Sequence, residues 1–192
     1  MKCFEGVVVL LVLALLGACS SVGPGTKEVS GGTTVRLERF SFVLPDGPQW
    51  ISEDGNSSVN IRMTGVGGMT GSVGLYGVLA SSFPLPSVAS DEEFTAWVKE
   101  KLAQQVAPSE KVSLHEVQPY SLKGARCVRS HMQKAGARGG VSEDSFVLVC
   151  AHPAKKGIGV YVEYWQNVLD APDPKLADKA SRLFESVAFT PS

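Results

Sequence analysis

The sequence predicts an α+β fold in which helices pack on an antiparallel β-sheet. Four strand-like segments follow one another as a meander, at about Val112–Val117, Leu122–Gln133, Asp144–His152 and Ile158–Trp165. Two segments with helical spacing of their apolar residues flank the meander, one after Ser90 and one after Asp173. Consecutive strands joined by short turns pair antiparallel, so the meander predicts an antiparallel sheet.

The composition fits one globular domain and argues against a nucleic-acid partner. The chain has 192 residues, of which 44% are hydrophobic and 19% charged. This length is enough to bury a substantial core. With 18 Lys and Arg against 19 Asp and Glu, the sequence lacks the basic excess that neutralises phosphates. We therefore expect no nucleic acid as a partner.

The first 18 residues have the features of an export signal. Lys2 precedes an uncharged run from Gly6 to Cys19. As a helix this run reaches about 21 Å, which is short of the roughly 30 Å hydrocarbon core of a bilayer. The small, helix-breaking residues 20–25 that follow do not suit a stop-transfer helix. Residues 1–18 are therefore predicted to be a signal peptide.

The end of this run, Leu16-Gly17-Ala18-Cys19, resembles the lipobox of bacterial lipoproteins. The resemblance implies a diacylglyceryl group on the sulfur of Cys19, cleavage just before it, and acylation of the new amine. Several acyl chains hold a protein stably on a bilayer, at about 0.8 kcal/mol per buried CH₂. The implied partner is the membrane, through a lipid anchor. An ordinary secretory signal in which Cys19 is incidental is the alternative.

The residue after Cys19 bears on location. Ser20 stands where enterobacterial lipoproteins that stay at the inner membrane carry Asp. By this resemblance the protein would reach the outer membrane and face the periplasm. Residues 19–33 are rich in Ser, Gly and Thr, and we expect the lipidated Cys and a flexible tether there. Residues 34–192 then form a single globular α+β domain.

The remaining elements follow from local patterns. Apolar residues from Val35 to Phe42 predict one extended strand, which ends at the turn residues 45–48. Alternation predicts a second strand over 59–63. Six glycines between Gly65 and Gly77 are interpreted as a hairpin or loop, because a phosphate-binding loop would need a helix directly after it.

Capping residues mark both helices. Ser90 and Glu93 form a capping box before the first helix, which should end before Pro108. Three acids, Asp91-Glu92-Glu93, suit the positive end of its macrodipole and so are not interpreted as a metal site. Asp173 caps the second helix, and a short strand over 187–189 closes the chain. The predicted buried positions are Phe94, Trp97, Val98, Leu102, Leu176, Ala180, Leu183 and Phe184.

Cys127 and Cys150 are predicted to form a disulfide across a hairpin. Pairing them directly places the turn between Arg138 and Gly139, within a stretch that is turn-like by composition. The same register puts Val128 opposite Val149 on an apolar face. Directly opposed strand residues lie near disulfide distance, and an exported protein meets oxidising conditions.

Two other uses of these cysteines stay open. A metal site with His131 and His152 would need ligands within about 2.3 Å of one ion, yet His131 lies roughly 13 Å along the strand from Cys127. Free or intermolecular thiols are the other alternative. We expect no bound metal and no cofactor.

The sequence contains few candidate catalytic groups. His115, His131 and His152 are its histidines, and no hydrolase, zincin, Walker A or paired-carboxylate motif accompanies them. No catalytic residue is assigned. Tyr161, Glu163 and Trp165 share one strand face and are candidates for stacking on a sugar, peptide or aromatic ligand. Packing against a helix is the other explanation for these three.

Residues 38–190 resemble the PsbP-like sandwich of the photosystem II extrinsic protein and many small exported bacterial proteins. The resembling features are Phe40-x-Phe42-x-x-Pro45 leading to Trp50, a central helix, a meander, and a final helix running into Ser186-Val187-x-Phe189. The resemblance implies an accessory or binding module that is not an enzyme, and it carries over no site residues and no photosynthetic role. An envelope hydrolase using one histidine and a purely structural envelope protein are the alternatives.

Overall fold

A computed structural model describes residues 26–47, 50–54, 58–63, 76–104, 111–137, 141–168 and 173–191. Within these ranges the chain forms eleven strands and two helices. They are β1 (Thr26–Val29), β2 (Thr34–Arg36), β3 (Phe40–Val43), β4 (Trp50–Asp54), β5 (Ser58–Met63), β6 (Tyr76–Pro84), α1 (Asp91–Gln104), β7 (Lys111–Leu122), β8 (Ala125–Ala137), β9 (Val141–Ala151), β10 (Ile158–Val168), α2 (Leu176–Ser186) and β11 (Ala188–Phe189).

The predicted α+β class and the antiparallel sheet are confirmed. Eight strands form one sheet in the order β1-β4-β5-β6-β10-β9-β8-β7, and three form a smaller sheet in the order β11-β3-β2. All their pairings are antiparallel. α1 packs on one face of the large sheet, while α2 and the small sheet cover the other.

Alternating side chains of the large sheet supply a core on each face. The core beneath α2 and the small sheet includes Trp50, Ile61, Val78, Val162 and Tyr164, together with Phe40 and Phe42 of the small sheet. The core beneath α1 consists of Phe94, Val98, Leu102, Val128, Met132, Val147, Val149 and Tyr161. Because both faces are covered, β10 buries every residue from Val160 to Tyr164, and β9 buries every residue from Val147 to Cys150.

The predicted strand from Val35 to Phe42 is wrong as a single element. The segment is a hairpin, in which β2 and β3 pair through Val35 and Phe42. The chain reverses after Leu37, whose N–H donates to Phe40 O at 2.9 Å. The apolar positions move from odd to even numbers between Leu37 and Phe40, and this phase change marks the turn.

The predicted tether does not extend to residue 33. Thr26–Val29 form β1, which pairs with β4 through contacts such as Val29 opposite Trp50. After β1, Gly32 adopts a φ of 77° and its N–H donates to Leu44 O. Within the described residues, backbone pairing therefore orders the chain from Thr26, because a neighbouring strand outweighs the Ser- and Gly-rich composition of this segment.

The meander has the predicted order with longer strands. β7 runs on to Leu122 and turns at Lys123-Gly124, whose φ values of 51° and 79° belong to a tight hairpin turn. Leu122 therefore ends β7 rather than opening the next strand. β7 is the edge of the large sheet, and it carries Pro119 and a register shift between Leu114 and Glu116.

α1 begins directly after its predicted cap, Ser90. The predicted cap of α2 is wrong, because Asp173 closes a turn that precedes the helix, and α2 begins at Leu176 with Lys175 as its N-cap. Ser90 Oγ accepts the Glu93 N–H at 3.2 Å, and the Glu93 carboxylate accepts the Ala89 N–H at 2.8 Å, one residue before the predicted donor. Asp173 Oδ1 accepts the Lys175 N–H at 2.9 Å ahead of α2. None of the described helices is long and apolar enough to span a membrane.

Candidate functional site

Cys127 of β8 and Cys150 of β9 form the predicted disulfide. The two residues are directly opposite each other, and Val128 pairs with Val149 in the same register. Both cysteines are buried, at 1% and 0% exposure. The bond between their sulfurs excludes the metal site and the free thiols that the sequence left open. Its position in the core makes it a structural cross-link.

Several sequence predictions concern residues outside the described ranges. These are the signal peptide, the lipobox with Cys19, the first part of the tether, the turn at Arg138-Gly139, and residues 65–75 of the predicted hairpin or loop. The acidic group at the start of α1 is described, and Arg126 Nε lies 3.8 Å from Asp91 Oδ1. Within the described part of the chain, no three His, Cys, Asp or Glu side chains gather in a group that could hold a metal ion.

Tyr161 and Glu163 are buried neighbours on the β10 face that α1 partly covers. Their exposures are 9% and 7%, and the Tyr161 hydroxyl donates to Glu163 Oε2 at 2.8 Å. Burial raises the pKa of the Glu163 carboxyl, and the charge of Glu143 adds to this effect, while Lys134 opposes it. Burial also raises the pKa of Tyr161. This pair is therefore part of the packed layer.

Trp165 lies farther along the same face and over an adjacent glycine. It is directly opposite Gly77 of β6, and a Cβ at position 77 would clash with the indole ring, 2.5 Å from Nε1 and closer still to Cε2 and Cζ2. The indole thus rests on the backbone of β6 and remains half-buried. Leu79, two residues along β6, is on the same face and 36% exposed. Trp165 and Leu79 define what we call the Trp165 surface.

His152 has a structural role in the turn after β9. Its Nδ1 accepts the N–H groups of Ala154 and Lys155, at 3.2 and 3.1 Å. The other nitrogen, Nε2, must then carry the proton, which it donates to Arg39 O at 3.1 Å. Burial lowers the pKa of this imidazole. With both nitrogens engaged, His152 is not available as a general base.

His131 forms a close pair with an acid. Its Nε2 lies 2.6 Å from Asp144 Oδ1, and its ring stacks on Phe146 with centroids 4.4 Å apart. These residues are on the face of the large sheet opposite Trp165. The side chain of His115 lies outside the part of the chain that the structure describes. Of the two histidine side chains that the structure describes, His131 is therefore the candidate for a catalytic group.

Two concave regions lie away from the Trp165 surface and from the His131–Asp144 pair. A groove of about 770 Å³ runs between β1 and β2, with Val29, Val35, Leu37 and Val59 among its lining residues. A smaller depression of about 360 Å³ lies between the start of α1 and the β7–β8 turn. Sequence patterns did not indicate the larger groove, because it forms between segments that were expected to be tether and a single strand.

Comparison with solved structures identifies the architecture. The solution structure of cyanobacterial PsbP (CyanoP) from Synechocystis sp. PCC 6803 matches with a TM-score of 0.51 and 14% identity, covering 91% of this chain and 99% of that one. The fold is PsbP-like. PA94 from Pseudomonas aeruginosa, a protein of unknown function, also matches with a TM-score of 0.51 and 15% identity, covering 85% of this chain and 100% of that one. No protein-family model matches the sequence, and no curated protein matches it significantly.

Proposed function

We propose that this chain is a lipid-anchored protein of the bacterial cell envelope that acts as a non-catalytic binding or accessory module. The observation that carries the proposal is the sequence Leu16-Gly17-Ala18-Cys19 at the end of an uncharged run. The buried Cys127–Cys150 disulfide supports it independently, since stable disulfides are typical of exported proteins. The anchored domain would face the periplasm, and Ser20 favours the outer membrane.

The Trp165 surface is the proposed ligand site. Here the indole packs over the backbone of Gly77, and a flat ring in a ligand can stack on an aromatic face that remains accessible. Leu79 extends the apolar area, while Tyr161 and Glu163 support it from within the packed layer. The expected ligand class is a sugar, a peptide or an aromatic compound.

The anchor is tested by intact mass spectrometry of protein purified from bacterial membranes. We expect a chain that begins at Cys19 and carries acyl groups, with a mass lower by two hydrogen atoms than that of the reduced form because of the disulfide. Cys19→Ser should lose the acylation and move to the aqueous phase in detergent partitioning. A mature protein that keeps residues 1–18, or an unchanged partition of the variant, would contradict the anchor.

Location is tested separately by density-gradient fractionation of the two membranes. Wild type should sediment with the outer membrane, and Ser20→Asp should shift toward the inner membrane. Equal distributions of the two proteins would contradict the role assigned to Ser20 and leave the anchor itself unaffected.

The ligand site is tested by fluorescence titration with two probes, a soluble N-acetylglucosamine trimer and N-acetyltryptophan amide. Trp165→Leu retains apolar cover over Gly77 but removes the stacking ring. We expect saturable binding of at least one probe to wild type and at least tenfold weaker binding to this variant. Trp97→Phe, which alters the stack with Phe83 beneath α1, is the control. Equal binding by wild type and Trp165→Leu would contradict the site.

The His131–Asp144 pair favours one alternative, an envelope hydrolase. Because His152 is engaged at both nitrogens, a hydrolase would depend on His131 or on His115. A fluorophosphonate probe labels serine hydrolases covalently. Labelling of wild type that is lost in His131→Ala would replace the non-catalytic proposal. Absence of labelling together with no binding of either ring probe would favour a purely structural envelope protein.

A further inference from the structure

The groove beside β1 and β2 runs between the edges of two sheets. β1 is the last strand at one end of the large sheet, and β2 is the last strand at one end of the small sheet. The lining includes consecutive residues of both segments, from Lys27 to Val29 and from Thr33 to Glu38. Side chains alternate between the two faces of a strand, so a groove that touches consecutive residues follows the strand edge. The groove therefore gives access to the main chain.

The hydrogen bonds of β2 show which of its backbone groups face outward. Thr33 O accepts the Leu44 N–H at 3.0 Å, and the Leu37 N–H donates to a carbonyl oxygen of β3 at 2.9 Å. Both residues thus bond toward β3, and in an antiparallel pair this direction alternates along the strand. Thr34 and Arg36 therefore direct their N–H and C=O groups away from β3. No strand among the described residues pairs with them on that side.

The floor of the groove is apolar and continuous with the core. Val35 and Leu37 of β2 and Val29 of β1 are partly buried, and they pack against the core beneath α2 and the small sheet, to which the buried Val59 belongs. A peptide strand placed along β2 would direct every second side chain onto this floor. A hydrocarbon chain would suit the same floor, but it offers no donor or acceptor to the edge of β2.

Arg36 gives the edge a charge preference. It is exposed, and among the described residues no carboxylate pairs with its guanidinium. Glu38, two residues along the chain, pairs instead with Arg39 at 2.6 Å. The edge of β2 therefore presents one uncompensated positive charge between the apolar residues Val35 and Leu37. Opposite charges directly across a strand pair attract, so the charge favours an acidic residue in an added strand opposite Arg36.

We propose that this groove binds an extended peptide segment of a partner protein, which pairs antiparallel with β2 as a further strand of the small sheet. The segment has a carboxylate opposite Arg36 and apolar residues opposite Val35 and Leu37. The edge strand β7 carries Pro119 and a register shift, whereas β2 has no proline and pairs with β3 without a shift. The proposal rests neither on the lipid anchor nor on the Trp165 surface.

The test uses the full-length protein, purified in detergent, and a hexapeptide labelled with fluorescein. In the peptide, lysine is followed by valine, glutamate, valine, threonine and valine. This order places glutamate opposite Arg36 and threonine opposite Thr34. We expect saturable binding in fluorescence anisotropy, with a Kd below about 1 mM. Hydrogen exchange of the amides in residues 33–38, measured by mass spectrometry, should slow when the peptide is bound.

N-methylation of the peptide tests whether its backbone pairs with β2. The N–H groups of the glutamate and the threonine face β2 in the proposed register, and those of the valines face away. Methyl groups on the glutamate and threonine nitrogens should weaken binding at least tenfold. Methyl groups on the nitrogens of the first two valines should change the Kd by less than threefold.

Variants test the floor and the charge. Val35→Thr makes the floor more polar and should weaken binding at least fivefold. Val43→Thr changes an exposed valine of β3 outside the groove and should leave the Kd within twofold. Arg36→Glu should bind the hexapeptide more weakly than wild type does, and should bind a peptide with lysine in place of its glutamate more tightly.

Four outcomes would overturn the proposal. The first is no saturable binding by wild type. The second is equal binding of the two methylated peptides, because the groove would then accept apolar chains in general, including those of a lipid. The third is an equal effect of Val35→Thr and Val43→Thr. The fourth is protection of residues 33–38 that rises with protein concentration in the absence of peptide, which would assign the edge to a second copy of this chain.

Discussion

The indole of Trp165 on β10 occupies the space that a side chain at position 77 of β6 would fill. A second pair mirrors this one farther along the same two strands, where the ring of Phe83 on β6 covers Gly159 of β10. In each pair one strand contributes the glycine and the other the aromatic ring. In both pairs the ring packs directly over the glycine of the neighbouring strand, on the face that α1 covers only in part.

Gly77→Ala is expected to destabilise the domain by about 1–3 kcal/mol, the usual cost of overpacking. The new methyl group must displace the indole, since it would lie 2.5 Å from Nε1. The free energy of unfolding in urea measures the effect. In a Trp165→Leu background the cost of Gly77→Ala should fall by more than about 0.5 kcal/mol, as expected for residues in contact. If Gly77→Ala costs the same free energy of unfolding in both backgrounds, the contact between residue 77 and the indole would be contradicted.

Loss of the Cys127–Cys150 disulfide should cost about 3 kcal/mol, because the bond restricts the unfolded chain. Unfolding of wild type with and without reductant measures this difference. The double variant Cys127→Ala/Cys150→Ala should be insensitive to reductant and about as stable as the reduced protein. Equal free energies of unfolding for oxidised and fully reduced wild type would contradict the prediction.

Glu163→Gln should stabilise the domain at pH 7. Burial raises the pKa of Glu163 above its ordinary 4.5, so the folded state holds the proton more tightly than the unfolded state. Stability is therefore lost as pH rises from 4.5 through the folded pKa, whereas glutamine stays neutral throughout. The two proteins should converge at pH 4. Tyr161→Phe, which removes only the donor to Glu163, should instead destabilise by about 1 kcal/mol.

His152 should make stability fall in mild acid. Burial lowers its pKa below the ordinary 6.5, so the unfolded state binds the proton more readily. The stabilisation that neutral His152 contributes is fully present above about pH 6.5 and is lost as pH falls through the folded pKa. Protonation of Nδ1 breaks its hydrogen bonds to the N–H groups of Ala154 and Lys155. Urea unfolding between pH 5 and 8 measures the slope. His152→Gln should lower stability at pH 7 and flatten the slope, and an unchanged slope would contradict the assignment.

Local signals in the sequence were enough for the fold class, the cap of α1 and the disulfide register, whereas the cap of α2 is Lys175 and not the predicted Asp173. The Cys127–Cys150 pairing followed from the turn-like composition midway between the cysteines, and strand register is fixed by such turns. The β2–β3 turn was missed, although the apolar residues change from odd to even positions after Leu37. β1 was missed because its residues are mostly polar, as in a linker. Its strand conformation depends on pairing with β4, which the local sequence does not indicate.

The side-chain environments were largely beyond reach of sequence patterns. Tyr161, Glu163 and Trp165 do share a strand face, but their differing burial depends on α1 and on the glycine opposite Trp165. The environment of Arg129 depends on Phe184 from a distant helix, and no periodicity along β8 reports that contact. Such groups emerge only when elements far apart in the chain meet.

The outer edge of β7 has a consequence for crowding. An open edge strand can recruit a strand from another molecule and so begin a fibre or an aggregate. Pro119 has no N–H to offer such a strand, and the irregularity between Leu114 and Glu116 bends the edge away from a straight ladder. The β7 edge is thus a poor template for a strand from a neighbouring molecule, even where copies of this protein are closely crowded.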